Sequence, residues 1–250
     1  MLTDNGGLRS AKEDIFICNI CDWVRKRFFP EQEASYKALW SASSDWEYYE
    51  TGYSDMRHEE SEANRALLDE ARELGPKDPG GASAIYLGLA QSGSPTAMFH
   101  AGWCLETGIG VERDLESAIY WYGQGLDAGS WTSALAYARL LDRRGDCEDC
   151  DKLLESGVDA DIASAAYRLA KYRYDRSPSR RTAQEIRPLL DRAIAQGHPG
   201  ANFFLSQLMF KGKFGLGNVF AGIRLGVSCI NGLEADEEAE ADARSTQGQA

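Results

Sequence analysis

The 250-residue chain has little from which a catalytic site or a membrane anchor is usually built. No window approaches 18 uncharged apolar residues, so no membrane-spanning helix is expected. Histidine is scarce. His58, His100 and His198 are scattered, with no H-E-x-x-H and no Asp or Ser companion at motif spacing. The glycine-dense stretch GKFGLGN at Gly212–Asn218 lacks the spacing of a phosphate-binding loop and reads as a turn between helices. Alternating apolar and polar runs joined by hairpin turns are nearly absent, which argues against sheet architectures. An enzyme is therefore not expected, and no catalytic residue, metal ligand or cofactor is assigned.

Positive charge is also short, with 27 Lys and Arg against 39 Asp and Glu and a formal net charge of −12. That balance opposes general nucleic-acid binding, which needs clustered cations to neutralise phosphates. One region runs against it. Between Arg168 and Arg192 eight Lys or Arg face Asp175, Glu185 and Asp191. It reads as a solvated helical face, with a docking surface for an acidic partner as the alternative.

The N-terminus lacks a secretory pattern. IFICNIC follows Lys12-Glu13-Asp14 and leads into Trp-Val-Arg-Lys-Arg rather than a small-residue cleavage site, so a cytoplasmic location is expected. Residues 1–60 carry two amphipathic stretches, around Ile15–Phe28 and Glu31–Tyr49, and read as a helical cap. The alternative is an in-plane membrane-surface or docking helix around Trp23, Arg25, Lys26, Arg27, Phe28 and Phe29. From Leu233 onward six acids and one Arg accompany few apolar residues and no aromatic, and disorder is expected.

Six cysteines include two C-x-x-C pairs, Cys18/Cys21 and Cys147/Cys150, beside Cys104 and Cys229. Together the pairs have the ligands of a four-thiolate zinc site, and either alone has those of a redox dithiol. The pairs are far apart in sequence and neither lies in a glycine knuckle. Counting back from Gly157 as a closing glycine places Cys150 at the position of Tyr122, a packing site. Buried thiols acting as small hydrophobes are the favoured reading.

What the chain does have is a repeat. Pro95–Gly129 reads PTAMFHAGWCLETGIGVERDLESAIYWYGQGLDAG, closed by Gly-Ser as Gly93-Ser94 precedes it. Upstream, Ala82, Tyr86 and Gly93 share the offsets of Ala118, Tyr122 and Gly129. Downstream, Ala193 and Gly197 match Gly125 and Gly129, and Ala221 and Gly232 match Ala118 and Gly129. Within the block, Ala97, Ala101, Gly102 and Leu105 share one helical face. Gly108 and Gly110 end that helix. Asp114 falls at an N-cap, and Ala118, Trp121, Tyr122, Gly125 and Leu126 form a second apolar stripe. Aligning on the closing glycine gives five units: 61–93, 94–129, 130–157, 158–197 and 198–232. The third loses its turn between Gly145 and Cys147. RSPSRR lengthens the fourth, and Pro188 kinks or restarts its second helix.

The block resembles the Sel-1-like repeat, a relative of the tetratricopeptide repeat. Ala97, Ala101-Gly102, Leu105, Gly108, Gly110-Val111, Asp114, Ser117-Ala118, Trp121-Tyr122 and Gly129 carry the likeness. Ala101, Leu105 and Ser117 replace that family's Leu, Tyr and Lys. The resemblance implies an all-α, right-handed α-solenoid of about five antiparallel helical hairpins over 61–232, with a cap at 1–60 and a tail at 233–250. It also implies that the first helix of each hairpin lines a concave face. At the family's exposed offsets stand Phe99, Trp103 and Glu106, then Leu140, Arg143 and Arg144. Tyr167, Lys171 and Tyr174 follow, and then Phe203, Gln207, Phe210 and Lys211. The resemblance further implies a non-catalytic scaffold or adaptor for protein partners with apolar anchors and acidic flanks, from a bacterial source. A membrane-surface adaptor and a zinc- or thiol-dependent module are the alternatives.

Overall fold

Most helices here begin at a short polar side chain able to take up a free N–H of the first turn. The computed structural model describes residues 60–226, and every regular element among them is helical. The helices are α1 (Glu62–Leu74), α2 (Pro79–Gln91), α3 (Pro95–Thr107), α4 (Leu115–Asp127), α5 (Trp131–Arg144), α6 (Cys147–Asp159), α7 (Ala163–Arg176), α8 (Arg180–Glu185), α9 (Arg187–Ala195) and α10 (Pro199–Phe210). A 3-10 turn at Leu216–Asn218 and helical backbone at 219–226 follow.

Ser94 Oγ accepts from Ala97 N–H at 3.1 Å and Ser130 Oγ from Ser133 N–H at 3.2 Å. His198 Nδ1 does the same for Ala201 N–H at 3.2 Å. Each follows a glycine at positive φ: Gly93 at 94°, Gly129 at 86° and Gly197 at 88°. The recurring pair is thus one device. Glycine turns the chain out of one hairpin, and the next residue caps the first helix of the following one.

The junction between α6 and α7 departs from this device and corrects the sequence reading. Gly157 does not close the third unit. It lies inside α6, and the turn falls at Asp161, a non-glycine residue at φ 65°. Gly157 is there for packing, because a Cβ on it would stand 2.5 Å from Cβ of Ala165 and 3.0 Å from the Trp131 ring. Gly125 has the same role four residues before Gly129, where an added Cβ would meet Ser133 Oγ at 2.3 Å. The third unit kept the packing glycine and lost the turning one. Cys150 therefore corresponds to Ala118, not Tyr122, and both are fully buried.

Turns inside the hairpins vary as their residues dictate. α3 and α4 are joined by 108–114, whereas α5 and α6 are separated only by Gly145 and Asp146. Ile186 ends α8 and begins α9, and Pro188 follows in the first turn of α9, where its missing N–H costs nothing.

The described residues divide into two compact units, 60–169 and 170–226. In the first, successive helices from α1 to α6 pack as neighbours, and α3 also touches α5. Its core runs from Leu68 and Ala71 through Tyr86, Leu89 and Ala101 to Tyr122 and Leu140. In the second, α9 packs on α10, with Ile186, Leu190, Ala193 and Leu208 at 1% exposure or less. The run 219–226 approaches α10 closely: a Cβ on Gly222 would be 2.7 Å from Phe210 N.

Candidate functional site

In the unit 60–169, the exposed offsets of α3 and α5 meet at one carboxylate. Glu106, one helical turn beyond Trp103, is 5% exposed. Arg139 Nη1 donates to its Oε1 at 2.6 Å and Arg139 Nη2 to its Oε2 at 2.7 Å. Arg143 Nη1 adds a bond to Oε1 at 3.1 Å, and the Tyr122 hydroxyl donates to Oε2 at 3.1 Å. Four donors from α4 and α5 thus converge on one α3 side chain. The parallel fork of Arg139 is the strongest such geometry a carboxylate can receive. Arg113 Nε donates to the backbone oxygen of the same residue at 3.0 Å, tying the inter-helix turn to the end of α3.

Around this centre the strip is less open than the sequence suggested. Glu106, Phe99 and Leu140 are buried rather than presented to solvent. Phe99 packs on Tyr122 with ring centroids 6.1 Å apart and meets His100 edge-on at 5.4 Å. Glu106 is consumed by the two arginines. Trp103 is 40% exposed, and the side chain of Arg143 is 62% exposed. Arg144 turns to the end of α5, where it pairs with Asp146 and reaches Glu116 at 3.4 Å. Tyr167, on α7, is half-buried. Arg139 was missed from sequence, although its place one turn before Arg143 on the same helix was the available signal.

In the unit 170–226, Tyr174 is also buried, at 6%, and meets Phe204 edge-on at 5.8 Å. Lys171 pairs with Asp175 at 2.7 Å, and its ammonium lies 5.6 Å from the Phe204 centroid. Phe203, Gln207 and Phe210 are half-buried along α10, and Lys211 just beyond it is exposed.

The described cysteines are free thiols. Cys104 is 3% exposed, and burial pushes its pKa up to about 11. The Cys150 thiol is fully buried and donates to the Ala138 carbonyl at 3.3 Å, while Cys147 is half-buried. Among the described residues no group of His, Cys, Asp or Glu is arranged to hold a metal, and no helix is long and apolar enough to cross a membrane. Cys18, Cys21, Cys229, the amphipathic stretch near Trp23 and the acidic segment from Leu233 lie outside the described residues.

Comparison with known proteins agrees with this architecture. The sequence pattern of the Sel1 repeat matches residues 95–130 and 163–178, the second match starting at the first residue of α7. No curated protein sequence matches the chain. Among solved structures, a Sel1 repeat protein from Oxalobacter formigenes superposes with a TM-score of 0.52 at 15% identity, over 66% of this chain and 72% of that one. A protective antigen present in uropathogenic Escherichia coli strains, displaying an SLR fold, gives a TM-score of 0.49 at 15% identity, over 64% of this chain and 38% of that one. The chain resembles the Sel1 repeat family, and its fold is the all-α helical-hairpin solenoid of such repeats.

Proposed function

We propose that this chain is a non-catalytic scaffold whose partner docks on the α3–α5 face of residues 60–169. Sel1-like repeats generally act in protein–protein interaction, and that general role is the starting point. The observation that carries the reading is the exposed Trp103 one turn from Glu106, whose buried carboxylate holds Arg139 and Arg143 in place. Two guanidinium groups face one carboxylate, leaving a single positive charge in excess beside an exposed indole. Tryptophan and arginine are the residues that most often dominate binding energy at interfaces, and a fixed guanidinium loses less entropy on binding than a free one. A segment with an apolar anchor and a nearby carboxylate suits such a face. The chain would act as an adaptor in the bacterial cytoplasm, concentrating its partner without altering it chemically.

The test is quantitative capture of binding proteins from the native host by the intact chain, Trp103→Ala and Arg143→Gln. Loss of the Trp103 anchor is expected to weaken the partner about 30-fold, the equivalent of a hot spot of about 2 kcal/mol. Arg143→Gln is expected to weaken it less and to flatten its salt dependence. Equal retention by all three chains, with unchanged circular dichroism, would place the site elsewhere.

A further inference from the structure

Two thiols stand one turn apart at the start of α6, and the scaffold reading has no use for them. Cys147 is the first residue of that helix and is half-buried, whereas Cys150 is fully buried. In the preceding hairpin Leu115 and Ala118 hold the same two places on α4, so packing alone does not call for sulfur there. Residues three apart in a helix have Cα atoms roughly 5 Å from each other, inside the range of about 4.4–6.8 Å that a disulfide spans. Their Cβ atoms stand about 5–6 Å apart against the roughly 3.5–4.5 Å a disulfide needs, so the first turn has to tighten. That turn is the least fastened of its kind. Ser94, Asp114 and Ser130 each cap the helix they precede, but Asp146 makes no side-chain cap bond to α6. Its carboxylate is held instead by Arg144, at the end of α5.

We infer that Cys147 and Cys150 form a reversible redox pair that controls the α3–α5 face. The oxidant is a hydroperoxide, which reaches the half-buried Cys147 first. One peroxide oxygen passes to the Cys147 sulfur and gives a sulfenic acid, while the rest of the peroxide leaves as its alcohol, or as water from hydrogen peroxide. The Cys150 sulfur then bonds to the Cys147 sulfur, the S–O bond breaks, and the hydroxyl leaves as water with the Cys150 proton. Two electrons go from the thiols to the peroxide, and a dithiol reductant returns them by exchange. The consequence for α5 follows from the lost proton. The Cys150 thiol donates to the Ala138 carbonyl at 3.3 Å, and a disulfide has no S–H to donate. Ala138 directly precedes Arg139, which grips Glu106 at 2.6 and 2.7 Å. Oxidation therefore cuts a bond between α6 and the part of α5 that presents Arg139 and Arg143, and draws the Cys150 side chain toward Cys147. This control rests on the α3–α5 reading, whereas the disulfide itself does not.

The full chain is treated with hydrogen peroxide, its remaining thiols are alkylated in urea, and tryptic peptides are weighed. Cleavage after Arg144 and Lys152 releases residues 145–152, which hold Cys147 and Cys150 and no other cysteine. That peptide should be unalkylated and lighter than the dithiol by two hydrogens, and dithiothreitol should restore it. In Cys150→Ser, dimedone should capture the sulfenic acid on Cys147. Amide hydrogen exchange over 138–144 should be about tenfold faster in the oxidised chain than in the reduced one, and should stay unchanged in peroxide-treated Cys147→Ser. An alkylated peptide, a Cys147 carried on to sulfinic acid with no internal bond, or a bond from either thiol to another cysteine would overturn the redox pair. A disulfide that leaves exchange over 138–144 unchanged would overturn the control of α5. Trp103 and Arg143 are unaltered throughout, so partner capture by the reduced chain tests the α3–α5 reading separately.

Discussion

Arg139 grips Glu106 through both guanidinium nitrogens, at 2.6 and 2.7 Å, and in doing so ties the first helix of one hairpin to the first helix of the next. The carboxylate is 5% exposed while the arginine side chain keeps 31% of its surface in water, so the two partners are not equivalent. Removing the arginine strands much of a buried negative charge. Removing the acid frees a cation that already reaches solvent. Arg139→Ala is therefore expected to cost about 2–3 kcal/mol in urea unfolding, held below the full penalty for an orphaned buried charge because Arg143 and Tyr122 still donate. Glu106→Gln should cost less. If the two variants unfold at the same urea concentration as the intact chain, the pair contributes nothing to stability.

Gly110 and Gly129 both adopt positive φ, 75° and 86°, but only the first is crowded. A Cβ on Gly110 would lie 1.9 Å from the Pro79 carbonyl oxygen, and Ser83 Oγ donates to the Gly110 carbonyl at 2.9 Å. The turn of the second hairpin is thus seated against the start of α2. Nothing lies within 4 Å of a Cβ on Gly129. Gly129→Ala should carry only the left-handed backbone penalty, about 1–2 kcal/mol. Gly110→Ala should lose clearly more, because backbone rather than a movable side chain blocks the added methyl. Thermal unfolding of the two variants side by side decides it, and equal losses would mean that the turn simply moves away.

How much of this could be read from the residues depends on how each signal is written. Helix starts were legible at Asp114 because a capping carboxylate precedes an apolar stripe. The α8–α9 break was legible because a proline cannot sit deep in a helix. The third junction was not, because glycine serves two purposes in this repeat. Gly125 and Gly157 allow close helix contact, whereas Gly93, Gly129 and Gly197 turn the chain, and the letter alone does not distinguish them. Asp161 at positive φ carried no warning at all. The exposed strip was over-read for a related reason. Trp103 and Glu106 stand three residues apart on one helix, yet whether each meets water depends on which side chains α4 and α5 send across. Tyr122, Arg139 and Arg143 lie 16, 33 and 37 residues away in sequence, beyond any local pattern.

The thiols give a prediction that needs no substitution. Burial holds Cys104 near a pKa of about 11, so at pH 8 only about one part in a thousand is thiolate, the reactive form. Cys150 is fully enclosed and its hydrogen is committed to Ala138. Cys147 is half-buried at the start of α6. Brief iodoacetamide treatment of the native chain at pH 8, followed by peptide mass spectrometry, should label Cys147 well ahead of Cys104 and Cys150. The latter two should react at comparable rates only after unfolding in urea. Early labelling of Cys104 would show that the α2–α3–α4 packing opens readily.

Asp114 offers a pH-dependent check of the capping device. Its carboxylate accepts from the Ser117 hydroxyl at 2.6 Å and from the Ser117 and Glu116 N–H groups at 3.1 Å. The Ser117 hydroxyl and backbone bonds lead in holding its pKa below the ordinary aspartate value. A group whose folded pKa is depressed stabilises the fold fully above its unfolded pKa, about 3.9, and that contribution disappears as pH falls through the lower folded value. Asp114→Ala should therefore lower the unfolding midpoint at pH 7, and the gap to the intact chain should narrow as pH drops below about 4. Asp114→Asn keeps an acceptor for the first-turn N–H groups but carries no charge. It should fall between the two at pH 7 and show a flatter pH dependence than the intact chain. A gap between the intact chain and Asp114→Ala that stays constant from pH 7 down to pH 2 would mean that the cap acts through shape alone and that its ionisation is not coupled to folding.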